Sequence, residues 1–306
     1  MTAVAELEHP IATSGLTKRY SAHVLAVDRL ELRVRKGEVY GFLGPNGAGK
    51  TTTLKMLVGL IRPTAGQAVV AGHAPGDPAG LARIGCLVES PAFYPYLSGR
   101  DNLRAAARAA GAPESRVDAV LDEVGLLPRG KDKFKTYSLG MKQRLGVGAA
   151  LLKEPDLLIL DEPSNGLDPQ GMVEMRDLIR QLRQGQRTVL LSSHLLGEVQ
   201  QICDRVGVIN GGKLIKEGTI DEIRGETSLL VVAQPAEQAL GLLSQRLGDK
   251  VRLVNGELIV DVEPQRAAEI NHWLVSSGIG VWQLRSAERS LEDVFLQLTG
   301  PMEGQP

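Results

Sequence analysis

Short apolar runs broken by polar residues alternate through residues 11–43, as antiparallel strands feeding a sheet would. The last of them, Val39-Tyr40-Gly41-Phe42-Leu43, meets a glycine-rich turn and then a helical pattern from Thr51 to Leu60, ended by Arg62-Pro63. Strands are expected at Ala68–Ala71 and Ile84–Val88. Residues 98–153 read as a helical insert. Ser98 and Asp101 have capping-box spacing for a helix through Ala110, and Val117, Val120, Leu121 and Val124 recur at helical spacing. A third helix runs from about Gly140 to Lys153 and stops before Pro155. Leu157-Leu158-Ile159-Leu160 and Thr188-Val189-Leu190-Leu191 are short and do not alternate, the signature of strands buried on both faces. Between them a helix from about Gln170 to Gln184 carries Met172, Met175, Ile179 and Leu182 on one core-facing stripe. A hairpin is expected where Asn210-Gly211 separates Val206–Ile209 from Leu214–Ile215, and Thr219 to Glu222 caps a last short helix.

After Gly225 the pattern restarts. Ser228–Ala233, Pro235–Leu247, Val251–Val254, Glu257–Val262, Pro264–Ser277 and Val281–Leu284 spell β-α-β-β-α-β, with a turn at Asn255-Gly256 and a closing helix from Ser290. The expected organisation is a tail at 1–10, a large domain at 11–225, an accessory or regulatory domain at 226–300 and a tail at 301–306. No catalytic constellation falls in the accessory domain, which points to docking or regulation.

Composition narrows the classes. At 306 residues and 43% hydrophobic content the chain can bury a real core and hold two domains. A formal net charge of −1 gives no global basic excess, so no nucleic-acid partner is expected. Cys86 and Cys203 lie far apart with no metal-ligand spacing and read as buried small hydrophobes of a reducing compartment. Residues 1–10 carry Glu6 and Glu8 and neither a basic start nor an apolar run, so no signal peptide is expected. No apolar run approaches the roughly 18–20 residues that span a bilayer. A cytoplasmic chain is expected, with any membrane role exercised through a partner.

Candidate chemistry begins at Gly44-Pro45-Asn46-Gly47-Ala48-Gly49-Lys50-Thr51-Thr52, which fits the P-loop template at every fixed position. Gly44, Gly47 and Gly49 let the backbone curl with its N–H groups inward, and the helix start adds its positive dipole end. Lys50 can reach the β- and γ-phosphates of a nucleoside triphosphate, and the Thr51 hydroxyl can take a Mg²⁺ position. The apolar run 157–160 ends in Asp161-Glu162, two adjacent carboxylates that are costly unless a cation or a proton-transfer role compensates. Asp161 is the expected Mg²⁺ partner opposite Thr51, and Glu162 is placed to accept a proton from attacking water. His194, at the end of the following strand, is a candidate γ-phosphate contact. Tyr20 and Val27 could offer the aromatic or apolar face that a base needs. Phe93, Tyr94 and Tyr96, in a proline-rich loop at 89–96, suit a docking surface as well as packing beneath the loop. The predicted fold class is therefore α/β, a P-loop nucleotide-triphosphatase core with an antiparallel β subdomain and a helical subdomain at about 98–153. A small C-terminal α+β domain of ferredoxin-like β-α-β-β-α-β order follows.

Five elements in this order, the P-loop at 44–52, Tyr-Ser-Leu-Gly-Met-Lys-Gln-Arg at 137–144, the acidic strand at 157–163, Asn-Gly-Leu-Asp at 165–168 and His194, resemble the nucleotide-binding subunit of an ABC transporter over residues 11–225. The resemblance implies an ATPase with ATP bound by Tyr20, Val27, Asn46, Gly47, Ala48, Gly49, Lys50, Thr51 and Thr52. It implies Mg²⁺ on Thr51 and Asp161, Glu162 as general base, and His194 on the γ-phosphate. It further implies a head-to-tail dimer with a second nucleotide-binding subunit. In that dimer Ser138 and the Gly140 N–H would touch ATP in trans and Asp168 would link the two sites. An integral membrane permease would place the pair on the cytoplasmic face of the membrane.

The sequence departs from the family at Leu139 and Met141, where Gly and Gln are usual, and at Glu89, where a Gln usually links Mg²⁺ and water to the membrane partner. Glu89 remains a hard oxygen ligand and so a candidate catalytic and metal residue. These departures, with Phe93-Tyr94-Pro95, look like the subgroup that exports bacitracin and lantibiotic-type peptides. Residues 290–300 are similar to the end of drug- and antibiotic-exporting members. An ABC-type ATPase acting on DNA or ribosomes is the competing class. Its chromosome members carry a long coiled coil between P-loop and signature, but Lys50 and Ser138 are only 88 residues apart, and its translation members carry two cassettes. A non-hydrolysing module in which ATP only drives dimerisation is left open by Glu89 and opposed by Glu162 and His194.

Overall fold

A computed structural model describes residues 8–184, 187–225, 228–287 and 291–300. Most of the expected N-terminal tail, the tail at 301–306 and Ser290 lie outside them. The chain divides into two compact units, one running to Thr219 and the other Ile220–Gly300. The division falls ahead of the expected boundary at 225, so the short helix after Thr219 belongs to the second unit.

The first unit opens with β1 (Ile11–Arg19), β2 (Leu25–Leu30) and β3 (Arg33–Val34), followed by β4 (Val39–Leu43), α1 (Lys50–Leu57) and β5 (Ala65–Val70). β1 pairs antiparallel with β2, β3 and β5, giving the expected antiparallel layer. Next come α2 (Pro78–Arg83), β6 (Ile84–Leu87), α3 (Gly99–Ala110), α4 (Arg116–Glu123), α5 (Leu139–Leu151), β7 (Leu157–Asp161), α6 (Pro169–Gln184), β8 (Thr188–Ser193), α7 (Leu196–Ile202), β9 (Arg205–Asn210) and β10 (Lys213–Thr219). A six-stranded sheet runs β10-β9-β4-β8-β7-β6, parallel except for the edge strand β10. Every residue of β4, β7 and β8 is buried. That is why these strands do not alternate: Leu54, Met56 and Leu57 of α1 join Phe42, Leu157, Ile159 and Leu190 in one core with the antiparallel layer.

The insert is helical as expected, with Leu103, Ala107, Val120, Leu121, Leu145 and Leu151 buried where α3, α4 and α5 pack. Ser98 Oγ accepts the Asp101 N–H at 3.0 Å, while the Ser98 hydroxyl itself donates to Asp101 Oδ2 at 2.6 Å. The shorter Asp thus closes the box through the hydroxyl, where a Glu would reach back to the backbone.

Two local expectations change. The β9–β10 turn has Gly211 and Gly212 as its two central residues, with φ of 53° and 79°, because Asn210 pairs with Lys213. Positive φ at both centres makes it a primed turn, one residue later than the Asn-Gly reading placed it. Cys86 is exposed and Cys203 half-buried, so only the latter approaches the expected burial.

The second unit contains α8 (Ile220–Arg224), β11 (Ser228–Gln234), α9 (Ala236–Leu247), β12 (Val251–Val254), β13 (Glu257–Val260), α10 (Ala267–Ser276), β14 (Gly280–Ala287) and α11 (Leu291–Thr299). Its sheet is antiparallel in the order β12-β13-β11-β14. Leu229, Val231, Leu258 and Val260 pack there against Ala239 and Leu243 of α9 and Ile270 and Leu274 of α10. Asn255 and Gly256 form the expected two-residue turn, both at positive φ.

Gly85 in β6 tests the packing of α5 on the sheet, because a Cβ there would sit 2.2 Å from the Ala150 carbonyl oxygen, a backbone atom that cannot swing away. Gly85→Ala is expected to destabilise the first unit by about 1–3 kcal/mol, read as a lower midpoint in thermal unfolding.

Candidate active site

The C-terminal end of the parallel sheet gathers the site. After β4 the chain turns through Gly47 (φ 81°) and Gly49 (φ 107°) into α1. The two glycines are required for different reasons. A Cβ on Gly47 would meet open space, so its conformation alone calls for glycine, whereas one on Gly49 would also lie 2.4 Å from the Ala26 carbonyl. Gly44 serves packing, since its Cβ would lie 2.5 Å from the Ile209 carbonyl. The hydrogen-bond ladder of α1 starts with the Thr53 N–H on the Gly49 carbonyl. The N–H groups of Lys50, Thr51 and Thr52 precede it, and no side chain caps them. An uncapped helix start behind a left-handed glycine turn is a ready anion cradle.

Lys50, only 6% exposed, points its ammonium back across this turn. Nζ donates to the Gly44 carbonyl at 2.6 Å and the Pro45 carbonyl at 3.2 Å, and lies 3.2 Å from Glu162 Oε1. The second oxygen of Glu162 lies 2.8 Å from His194 Nδ1. With Glu162 ionised, Nδ1 carries a proton and donates it to the carboxylate. Asp161, 8% exposed, accepts one hydrogen bond from Ser192 at 2.6 Å and has no ion pair among the described residues. Ser192 in turn accepts the Glu162 N–H at 3.0 Å. Ser192 was not singled out by the sequence; its place directly after the apolar run 188–191 was its only signal.

Ala26, Pro45, Asn46, Gly47, Gly49, Lys50, Thr51, Thr52, Glu162 and Asn165 line an open pocket of about 210 Å³. Six of the P-loop residues expected on ATP therefore share one surface with Glu162; Ala48 does not line it and is buried. Ala26 and Asn165 join the lining without having been expected there. Val27 is fully buried in the core, so it offers no face to a base, because strand alternation turns its neighbour Ala26 outward instead. Tyr20 is 55% exposed, with the Lys18 ammonium 5.2 Å from its ring centroid.

Glu89 sits apart from the pocket lining. It has φ 69° and its carboxylate pairs with Lys55 of α1. Beyond it, Tyr94 and Tyr96 are exposed while Phe93 packs edge-on against Phe134 at 5.2 Å, so the loop divides its aromatics between surface and packing. Asn102 of α3, 1% exposed, holds the loop by accepting the Tyr94 N–H and donating to the carbonyls of Tyr94 and Ser98. Ser138 caps α5 by accepting the Met141 N–H at 3.2 Å, and Asp168 accepts the Gly171 N–H at 2.9 Å in the first turn of α6.

Residues 27–165 match the family described as ABC transporter. The chain is 42% identical to the bacitracin transport ATP-binding protein BcrA of Bacillus licheniformis over 298 residues, 95% of this chain and 97% of that one. The chain belongs to the ABC transporter family. It is also 37% identical to the daunorubicin resistance ATP-binding protein DrrA3 of Streptomyces coeruleorubidus, over 95% of this chain and 96% of that one. Among solved structures, an ATP-binding subunit of an ABC transporter matches 70% of the chain and 91% of its own length, with a TM-score of 0.62 at 31% identity. The chain is thus an ABC transporter ATP-binding subunit and an ATPase, with the P-loop core that its motifs implied. The relatives match nearly the whole length, so the second unit is shared with them.

Glu162→Gln keeps an oxygen near Lys50 and removes the basic carboxylate. It is expected to bind ATP within about threefold of the parent and to lower kcat by about 10²–10⁴-fold, measured by steady-state phosphate release beside nucleotide binding.

Proposed function

We propose that this chain is the ATP-hydrolysing motor of an exporter that moves a drug, antibiotic or peptide through a separate membrane permease subunit. The observation that carries the reading is end-to-end likeness to subunits named for bacitracin transport and daunorubicin resistance, joined to a pocket in which P-loop residues share one surface with Glu162. The working unit is a head-to-tail dimer of two such subunits on the cytoplasmic face of the membrane. Among the described residues no helix is long and apolar enough to cross a membrane, in keeping with a permease as a separate chain.

In this reading the uncapped N–H groups of α1 and the Lys50 ammonium hold the triphosphate, and Tyr20 stacks on adenine. Mg²⁺ fits the site because Asp161 is a buried carboxylate with one oxygen not committed to Ser192, and Thr51 offers a hydroxyl at the pocket wall. Thr51 and Asp161 would hold the metal, which would supply charge neutralisation at the phosphate oxygens. Glu162 takes the proton of the attacking water as the bond between the γ-phosphorus and the bridging oxygen breaks, with ADP as the leaving group. His194 orients Glu162 through Nδ1; donation from Nε2 to the γ-phosphate requires the doubly protonated ring. Glu89, released from Lys55, would be a further oxygen ligand.

The trans contact finds support in Gly140. It has no positive φ, and a Cβ placed on it comes no closer than 3.7 Å to any neighbour, so nothing within the chain explains a glycine near the start of α5. Close approach by a phosphate on a second subunit would explain it. Asp168, beside Asn165, would link the two sites. The exposed Tyr94, Tyr96 and Leu97 form the surface offered to the permease.

Gly140→Asp separates the two roles of this position, because a carboxylate in the first turn favours an isolated helix but repels a phosphate. Its unfolding midpoint should match or exceed the parent's while ATP-dependent dimerisation, followed by light scattering of a Glu162→Gln background, disappears. The export reading itself is tested by tagged purification from detergent-solubilised membranes. A polytopic membrane protein in stoichiometric yield is expected; ribosomes or DNA in its place would move the chain to the competing class.

A further inference from the structure

Asp161 and Glu162 are consecutive at the end of β7, and consecutive strand residues send their side chains to opposite faces. A regular strand would therefore deliver only one of the two carboxylates to the site. The backbone resolves this by leaving the strand at Glu162 with φ 48°, a left-handed conformation unusual for a residue with a side chain. After that turn Glu162 faces Lys50 and His194. The turn takes the Glu162 N–H out of the sheet ladder and leaves it needing another acceptor.

Ser192 supplies it. It stands on β8 directly opposite Asp161 in the parallel register, and none of it is exposed. Its Oγ accepts the Glu162 N–H at 3.0 Å while its hydroxyl proton goes to Asp161 Oδ1 at 2.6 Å. Only a group that accepts and donates at once can do both, which a hydroxyl does and an alkyl side chain does not. We infer that Ser192 is a positioning residue for ATP hydrolysis: one hydroxyl ties the carboxylate of Asp161 to the backbone of Glu162 and fixes both in working geometry. Neither nucleotide nor water needs to touch it. The inference rests on the roles proposed above for Asp161 and Glu162.

The test compares Ser192→Ala with Ser192→Thr, which keeps a hydroxyl on a strand-compatible side chain, in the full-length chain with Glu162→Gln alongside. Two quantities are read: kcat at saturating MgATP, and the gain in affinity for a fluorescent ATP analogue on going from EDTA to Mg²⁺. For Ser192→Ala, kcat is expected to fall about 10–100-fold and the Mg²⁺-dependent gain about tenfold. Affinity in EDTA should stay within about twofold, because the P-loop cradle is untouched, and Ser192→Thr should recover most of both losses. The inference is overturned if Ser192→Ala leaves either quantity unchanged, if affinity in EDTA falls in parallel, or if Ser192→Thr is as impaired as Ser192→Ala. Full activity of Glu162→Gln would instead remove the general-base reading on which the inference stands, so the two failures are distinguishable.

Discussion

A nearly buried ammonium holds this site together. Lys50 cannot be left without partners so far from water, and it finds them in two carbonyls of the loop that precedes it and in the carboxylate of Glu162. The loop is thereby folded back on its own helix, and the acidic strand is tied to the P-loop by charge as well as by the core. Glu162 shares its other oxygen with His194, so residues that follow β4, β7 and β8 meet in one chain of contacts. Neutralising Glu162 would leave the buried ammonium with carbonyls alone, which makes the site a unit more than a list of residues.

The parallel sheet makes that meeting possible. Strands β4, β7 and β8 lie side by side in register, so the loop after Leu43, the carboxylates after Leu160 and the serine-histidine pair after Leu191 all emerge at the same edge. Parallel pairing requires long crossovers, and the crossover from β6 to β7 contains α3, α4 and α5. The helical insert is thus a connection that the sheet demands, used to carry Ser138 and Gly140 on the start of α5. The insert stays anchored to that sheet through α5, whose Ala150 and Gly146 lie against Gly85 and Leu87 of β6.

Glycine does several distinct jobs here. At Gly47 it permits a backbone conformation, at Gly49 a conformation and a close approach, at Gly44 and Gly85 a close approach alone. At Gly140 neither is needed inside the chain. Sorting glycines by backbone conformation and by what a Cβ would meet separates those that folding requires from those, such as Gly140, Gly197 and Gly241, that it leaves open.

The sequence alone determined the elements and the chemistry they carry. Apolar runs without alternation marked the buried strands, the turn residues marked most of the hairpins, and the spacing of Gly44, Gly49, Lys50 and Thr51 defined a phosphate site, because these are local properties set by periodicity and backbone freedom. What the sequence left undecided are the pairings between residues distant along the chain. Val27 and Ala26 exchanged places because which face of β2 meets the core depends on its partner strands. Glu89 turned to Lys55, a cation 34 residues away that no spacing rule connects to it. Ser192 gained its partners only when β8 settled beside β7 with Asp161 opposite it, since a serine at the end of an apolar run has no meaning until its neighbour strand is known. Local sequence chooses the residues, and the register of the sheet decides which of them touch.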